Sequence, residues 1–211
     1  MYFKEYTLQE FIHVLSSNSP VPGGGGAASL SASLGCALGS MTANLTLGKE
    51  KFKLYEEDIK LLLEKLTICQ QELLEFMDQD ASAFEPLSKA YKLPKNTPEE
   101  ITYKAQIMEV ALFDASLVPI KIMEKSLEAL SLLADISKHC SKLTISDIAV
   151  GAQFLRSAIS GASMNVYINT ASMKNREQAE QLNQKADDLT KKGIEQADQL
   201  FQNILNTINP K

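Results

Sequence analysis

Apolar residues recur every three to four positions through most of this chain, and no strand-length run alternates with period two. That spacing is the mark of amphipathic helices, and it predicts seven of them. The first runs from Leu8 to about Ser16, opened by Thr7 and Glu10 at capping-box spacing. A turn, Pro20-Val21-Pro22-Gly23-Gly24-Gly25-Gly26, leads into the second, about Gly26 to Leu47, whose Ala28, Ser31, Gly35, Leu38 and Thr42 share a face small enough for another backbone to approach closely. The third spans about Leu54 to Leu93. Its Leu62, Leu66, Cys69, Leu73 and Phe76 step by four and three, the spacing of a helix–helix seam, and the next position in that series is Asp80. Pro86 is expected to end or kink this helix.

The stretch from Leu93 to Glu100 reads as a loop, after which Thr97 as N-cap and Pro98 in the first helical position restart the chain. The fourth helix runs to about Leu117, Pro119 is expected to interrupt it, and a fifth continues to about Lys138. The sixth opens at Thr144-Ile145-Ser146-Asp147, with the Asp147 carboxylate near the positive end of the helix dipole. Gly151, Leu155, Ala158, Ala162, Asn165 and Asn169 share one of its faces. The seventh runs from about Asn175 to Thr207 with Ala179, Leu182, Ala186, Leu189, Gly193, Leu200 and Ile204 inward. Helices of this length predict an all-α antiparallel bundle forming one domain over residues 1–211. The long seams also point to pairing with a second copy.

Composition sharpens this picture. An apolar share of 45% provides a core, and 22% charged residues, evenly scattered, argue against disorder. A net charge of −5 without a basic block disfavours nucleic acid as a partner. Cys36, Cys69 and Cys140 are odd in number and lack C-x-x-C spacing, which disfavours disulfides and zinc and fits a reducing, cytoplasmic setting. Residues 1–5 carry no basic-then-apolar leader pattern. Ala27 to Leu47 is nearly uncharged, but its hydroxyl and amide side chains fit a buried helix of a soluble protein, not a membrane span. His13 and His139 have no metal-ligand spacing and read as surface or capping residues.

Candidate chemistry gathers at a few places. Four glycines before a helix are costly; they fit positive φ, backbone contact with an anionic ligand at a helix N-terminus, or a tight turn against a crowded neighbour. Asp80 on an apolar seam is either buried, with a raised pKa suited to proton transfer, or solvated beyond the seam's end. Asn165 and Asn169, one turn apart, either read the edge of a heterocycle or tie helices together. Lys49, Lys51 and Lys53 are either surface lysines or the holder of a polyanionic tail.

Several runs together resemble one family. Pro20–Ala28 resembles its P-x-P-G-G-G-S/A-A-A signature, Met41–Thr46 its M-x-x-x-L-T, and Gly48–Phe52 its G-K-x-K-Y. Asp80–Phe84 resembles D-x-x-A-F/Y, and Ser146-Asp147 with Gly161–Asn169 resembles S-D…G-A-x-x-N-V-x-I-N. The chain thus resembles, in order and almost throughout, the cyclodeaminase/cyclohydrolase family. That family comprises the cyclodeaminase domain of formiminotransferase-cyclodeaminase and stand-alone methenyltetrahydrofolate cyclohydrolases. It departs at Gly26, where Ser is common; at Cys140-Ser141, where Gly-Asn is common; and at Tyr167, often Arg.

The resemblance implies an all-helical homodimer that acts on a tetrahydrofolate, with no metal and no cofactor beyond that substrate. Cyclohydrolysis of 5,10-methenyltetrahydrofolate is the first expectation, ammonia-releasing cyclisation of formiminotetrahydrofolate the alternative, and an inactive folate-binding or helical interaction protein the second alternative. On this implication Asp80 handles the proton and Lys49 assists. Pro22, Gly23, Gly24, Gly25, Gly26, Ser146 and Asp147 line the pocket. Asn165 and Asn169 hold the pterin, and Lys51, with Lys53, meets the folate glutamates.

Overall fold

The structure, a computed structural model, describes residues 2–210; Met1 and Lys211 of the expected domain lie outside the described residues. It holds six α-helices: α1 (Leu8–Leu15), α2 (Gly24–Thr46), α3 (Glu56–Tyr91), α4 (Pro98–Lys138), α5 (Ile145–Ala171) and α6 (Arg176–Ile208), with 3-10 turns at Phe3–Glu5 and Glu50–Tyr55. There is no strand among the described residues. Both capping boxes form: Thr7 with Glu10, and Thr97 with Glu100, the latter with Pro98 in the first turn of α4.

The expected break at Pro119 does not occur, which makes six helices of the expected seven. Proline inside a helix costs about 3 kcal/mol through its missing amide and ring clash. Here Pro119 is itself buried, and so are Ala115, Val118, Ile120, Ile122 and Met123 around it. Because α4 packs on α2, α3, α5 and α6 at once, apolar burial on several sides outweighs one lost bond. Pro86 likewise leaves α3 intact to Tyr91. Leu87 and Ala90 beyond it are buried, and the Lys104 ammonium donates to the Tyr91 and Leu93 carbonyls at 2.7 and 2.8 Å, tying off that helix end.

Helix α2 lies against α3, α4 and α5, and it carries no charged side chain. It runs antiparallel to α5, as three pairings show. The Ser31 hydroxyl donates to the Phe154 carbonyl at 3.0 Å, Gly35 faces Gly151, and the Thr42 hydroxyl donates to the Thr144 carbonyl at 3.2 Å. At the crossing, a Cβ on Gly35 would sit 2.9 Å from the Gly151 carbonyl oxygen and 2.8 Å from Leu155 Cγ. Gly35→Val is therefore expected to cost about 1–3 kcal/mol through overpacking, read as a fall in the thermal midpoint.

The outward sides of these two helices stay apolar. Leu34, Met41 and Leu45 of α2 and Val150, Phe154, Met164 and Ile168 of α5 are exposed. On α2, Gly24, Ala27, Ser31, Leu34, Leu38, Met41 and Leu45 step by three and four along one line. The corresponding line on α5 starts at Ser146 and reaches Ile168.

Candidate active site

The glycine run forms the N-cap and first turn of α2. Gly23 is the cap, in extended backbone, and its carbonyl accepts from the Ala27 amide at 3.1 Å. Among the described residues the only positive φ belongs to Gly48, at 74°, so positive φ is not what these four glycines serve. Close approach is. A Cβ on Gly25 would fall inside the Asp80 carboxylate, and one on Gly24 would lie 3.3 Å from Asn165 Oδ1. The seam Leu66–Cys69–Leu73 is buried as its spacing predicts and delivers Asp80 onto the α2 N-terminus one turn beyond Phe76. The antiparallel run of α5 delivers Asn165 to the same place. Pro22, itself buried, forms the floor: a Cβ on Gly26 would meet Pro22 Cβ at 3.4 Å, ordinary contact. A Cβ is therefore tolerated at position 26.

Burial pushes the Asp80 carboxyl up to about 6, with the Gly26 amide pulling in the opposite direction. A carboxyl so placed is ionised at neutral pH yet close enough to its midpoint to take and return a proton. The Asn165 amide group donates through Nδ2 to the Gly161 carbonyl at 3.1 Å. With one Nδ2 hydrogen so engaged, its Oδ1 has no protein donor among the described residues and can accept from a ligand N–H. Asn169 lies one turn farther along the same face, half-buried. Other proton chemistry is less available. Burial pushes the Cys36 thiol up strongly and that of Cys69 to about 11, so neither serves as a thiolate.

The remaining expected site residues are elsewhere in the chain. Lys49 caps the 3-10 turn that follows α2, Lys51 is exposed with its ammonium 5.3 Å from the Phe52 ring centroid, and Lys53 pairs with Glu50 at 3.5 Å. Ser146 and Asp147 occupy the first turn of α5, fixed beside the last turns of α2 by the Thr42–Thr144 bond. In this antiparallel register Ser146 and Asp147 lie level with Ser40 and Gly39, so at 1.5 Å per residue they stand about 22 Å along α2 from Gly25, and Lys49 and Lys51 follow the far end of that helix. The structure thus brings Pro22, Gly23–Gly26, Asp80, Asn165 and Asn169 together at one end. It places Lys49, Lys51, Ser146 and Asp147 at the other. Both groups border the same uncharged outer face of α2 and α5.

Of the other two departures, Tyr167 lies between Asn165 and Asn169 on α5 but is directed away from the glycine turn, and Cys140 lies at the opposite end of the bundle. The Tyr167 hydroxyl donates to Asp187 Oδ1 at 2.6 Å, directed at α6. Cys140 follows His139, which caps α4 and stacks on Tyr55 with ring centroids 3.8 Å apart. Sequence reasoning missed Asp78, whose carboxylate accepts from the Phe3 amide and so anchors the N-terminal segment two residues before Asp80; nothing in the spacing marks that contact. No group of His, Cys, Asp and Glu among the described residues is arranged to hold a metal ion, and no helix there is long and apolar enough to cross a membrane.

Comparison with known proteins adds independent weight. Residues 7–188 match the family described as formiminotransferase-cyclodeaminase. The chain is 34% identical over 205 residues to the methenyltetrahydrofolate cyclohydrolase of Methylorubrum extorquens, covering 97% of each chain. It is also 34% identical over 168 residues to the formimidoyltransferase-cyclodeaminase of Mus musculus, covering 79% of this chain and 31% of that longer one. The crystal structure of a formiminotetrahydrofolate cyclodeaminase from Thermotoga maritima superposes with a TM-score of 0.79 at 22% identity, covering 96% of this chain and 98% of that one. That likeness bears on the fold, the six-helix bundle described above.

Proposed function

The chain belongs to the formiminotransferase-cyclodeaminase family, and on that premise we propose that it hydrolyses 5,10-methenyltetrahydrofolate to 10-formyltetrahydrofolate. The observation that carries the reading is the Asp80 carboxylate seated in the gap left by Gly25, with a raised pKa and the Asn165 acceptor beside it. The substrate carbon is a cationic amidinium bridging two folate nitrogens. Water adds to it while Asp80 takes the water's proton, giving a neutral hydroxylated carbon. Asp80 then delivers that proton to one ring nitrogen as its bond to the carbon breaks, and the hydroxyl proton leaves as the carbonyl forms. Neither step calls for a metal or a second cofactor. Asn165 and Asn169 are assigned to the pterin edge.

Lys49, Lys51, Ser146 and Asp147 fit this scheme in a homodimer. A second copy turned antiparallel over the uncharged α2–α5 face sets the distal end of one chain against the Asp80 end of the other. The partner subunit then closes the pocket, and its lysines meet the folate glutamates. A cytoplasmic location accords with the free thiols.

The direct test is loss of methenyltetrahydrofolate absorbance on incubation with the protein. Because Asp80 must be ionised to accept the proton, kcat/KM, corrected for the uncatalysed rate, is expected to rise with pH through about 6 and then level off. A profile flat through that range removes Asp80 from the proton path. The identity to the mouse cyclodeaminase supports a second reading in which Asp80 protonates departing ammonia. Ammonia release from formiminotetrahydrofolate identifies that activity. Folate binding without turnover of either substrate would leave a binding protein.

A further inference from the structure

Asn165 and Asn169 reach the site on the last turns of α5, where the helix has little bulk to fix its own rotation. Its buried residues there are Ala162, Ser163, Val166 and Thr170. Toward α2, a Cβ added at Gly161 would stand 3.8 Å from Ala28 Cβ, and Asn165 faces Gly24. Surfaces this shallow offer few ridges to lock into grooves. The polar ties lie on the other side. Among the described residues, every side-chain hydrogen bond joining residues 161–171 to another helix goes to α6. The Tyr167 hydroxyl donates to Asp187 Oδ1 at 2.6 Å and the Thr170 hydroxyl to Asn183 Oδ1 at 2.7 Å, while the Arg176 guanidinium donates back to the Thr170 carbonyl at 2.9 Å. Tyr167 is half-buried, and burial pushes its hydroxyl up from its ordinary value, with the Asp187 carboxylate pushing the same way. It therefore keeps its proton and stays a donor at neutral pH.

We propose that Tyr167 is a positioning residue for the pterin subsite: its bond to Asp187 fixes the rotation of α5 that aims Asn165 and Asn169 into the pocket. This rests on the folate reading above, which assigns the two amides to the pterin edge. The geometry is that of a lever. Residues two apart on a helix point about 200° apart, and residues four apart only about 40°. Tyr167 sits midway between the two asparagines in sequence, so it projects from the far side of α5 while both amides share the near side. A grip on α6 at that level resists rolling of α5 about its axis, and rolling is the motion that swings both amides together. At about 6 Å from the axis, a roll of about 10° shifts an amide by about 1 Å, enough to spoil a hydrogen bond to a rigid heterocycle. Upstream, Arg156 is tied to Asp198 at 2.7 and 3.3 Å. That pair stands nine residues before Asn165, about 14 Å along the axis, so it braces the middle of the helix and not the asparagine turn.

The test is Tyr167→Phe, which removes one hydroxyl and keeps the ring. It is assayed on methenyltetrahydrofolate, or on formiminotetrahydrofolate if that is the substrate turned over, with circular dichroism as the check on folding. Because the amides hold the substrate and do not act on the reacting carbon, KM is expected to rise about tenfold while kcat stays within about twofold of wild-type. Asp187→Ala, a change at an exposed position, should match it. Asp187→Asn keeps an acceptor for the hydroxyl and should hold KM near the wild-type value. Arg156→Ala is the control: it loosens the same pair of helices away from the asparagine turn, and should lower the thermal midpoint with KM unchanged. An unchanged KM in folded Tyr167→Phe overturns the proposal. So does an equal rise in Arg156→Ala, which is general loosening, and so does Asp187→Asn behaving like Asp187→Ala. Should Tyr167→Phe lose its fold, Asp187→Ala and Asp187→Asn are read against each other by the same criteria. A wild-type chain that turns over neither substrate defeats the folate reading, and this inference with it. An active wild type whose KM ignores the Tyr167–Asp187 bond defeats the inference alone.

Discussion

Asp80→Asn is expected to make this protein inactive and more stable at once. Turnover should fall by about 10²–10⁴-fold, the usual worth of a positioned proton-transfer group. The amide keeps the shape of the carboxylate and can still accept from Gly26, so the glycine turn has no reason to rearrange. The stability change follows from linkage. The folded chain holds the Asp80 proton up to a pH of about 6, against 3.8 for the ordinary carboxyl. Between those values the unfolded chain has already released its proton and the folded chain has not, so stability falls as pH rises and the full cost is present above about 6. The substituted amide does not titrate and carries no such cost. The variant should therefore gain up to about 3 kcal/mol at neutral pH, at about 2–4 °C in thermal midpoint per kcal/mol for a chain of this size. The gain should fade as the pH approaches 4. Midpoints of both proteins across that range check the sign, and full turnover by the variant would sink the role of Asp80.

That opposition of stability and activity also explains how much of the site was legible beforehand. Asp80 stood out because it falls on a seam whose other members are Leu, Cys and Phe, and burial of those members carries it inward. The glycines stood out by composition, but their reason was not legible. Four consecutive glycines fit positive φ and close approach equally well, and only the meeting of α2 with α3 shows that Gly25 makes room for a carboxylate. Helix faces were readable from period alone: the inward apolar positions of α5 and α6 are buried as spacing predicts, save for a half-exposed Leu189. Helix ends set by local chemistry were readable too, at Thr7 and Thr97. Pro119 was not, because a rule about a single missing amide carries no information about four packed neighbours. The distance between Lys49 and Asp80 was also hidden, since sequence motifs report which residues belong to a site and not how many subunits supply them.

The last point has a decisive test. If each site takes Asp80 from one subunit and Asp147 from the other, Asp80→Asn and Asp147→Asn proteins should each be inactive as homodimers and active when mixed. A mixed dimer concentrates both changes in one of its two sites and leaves the other wild-type in every residue. Random exchange in an equal mixture makes half the dimers mixed, so activity should recover to about one quarter of the wild-type level. Exchange must be allowed to reach equilibrium, and the recovery should be absent when the two proteins are mixed after the subunits are cross-linked. A site contained within one subunit predicts a different result, because every subunit in the mixture then carries one defect and no arrangement of them restores an intact set. Recovery on mixing would mean that two α2 helices, each about 35 Å long, lie antiparallel over a face with no charge to desolvate, and that this pairing joins residues from opposite ends of the chain into one motif set.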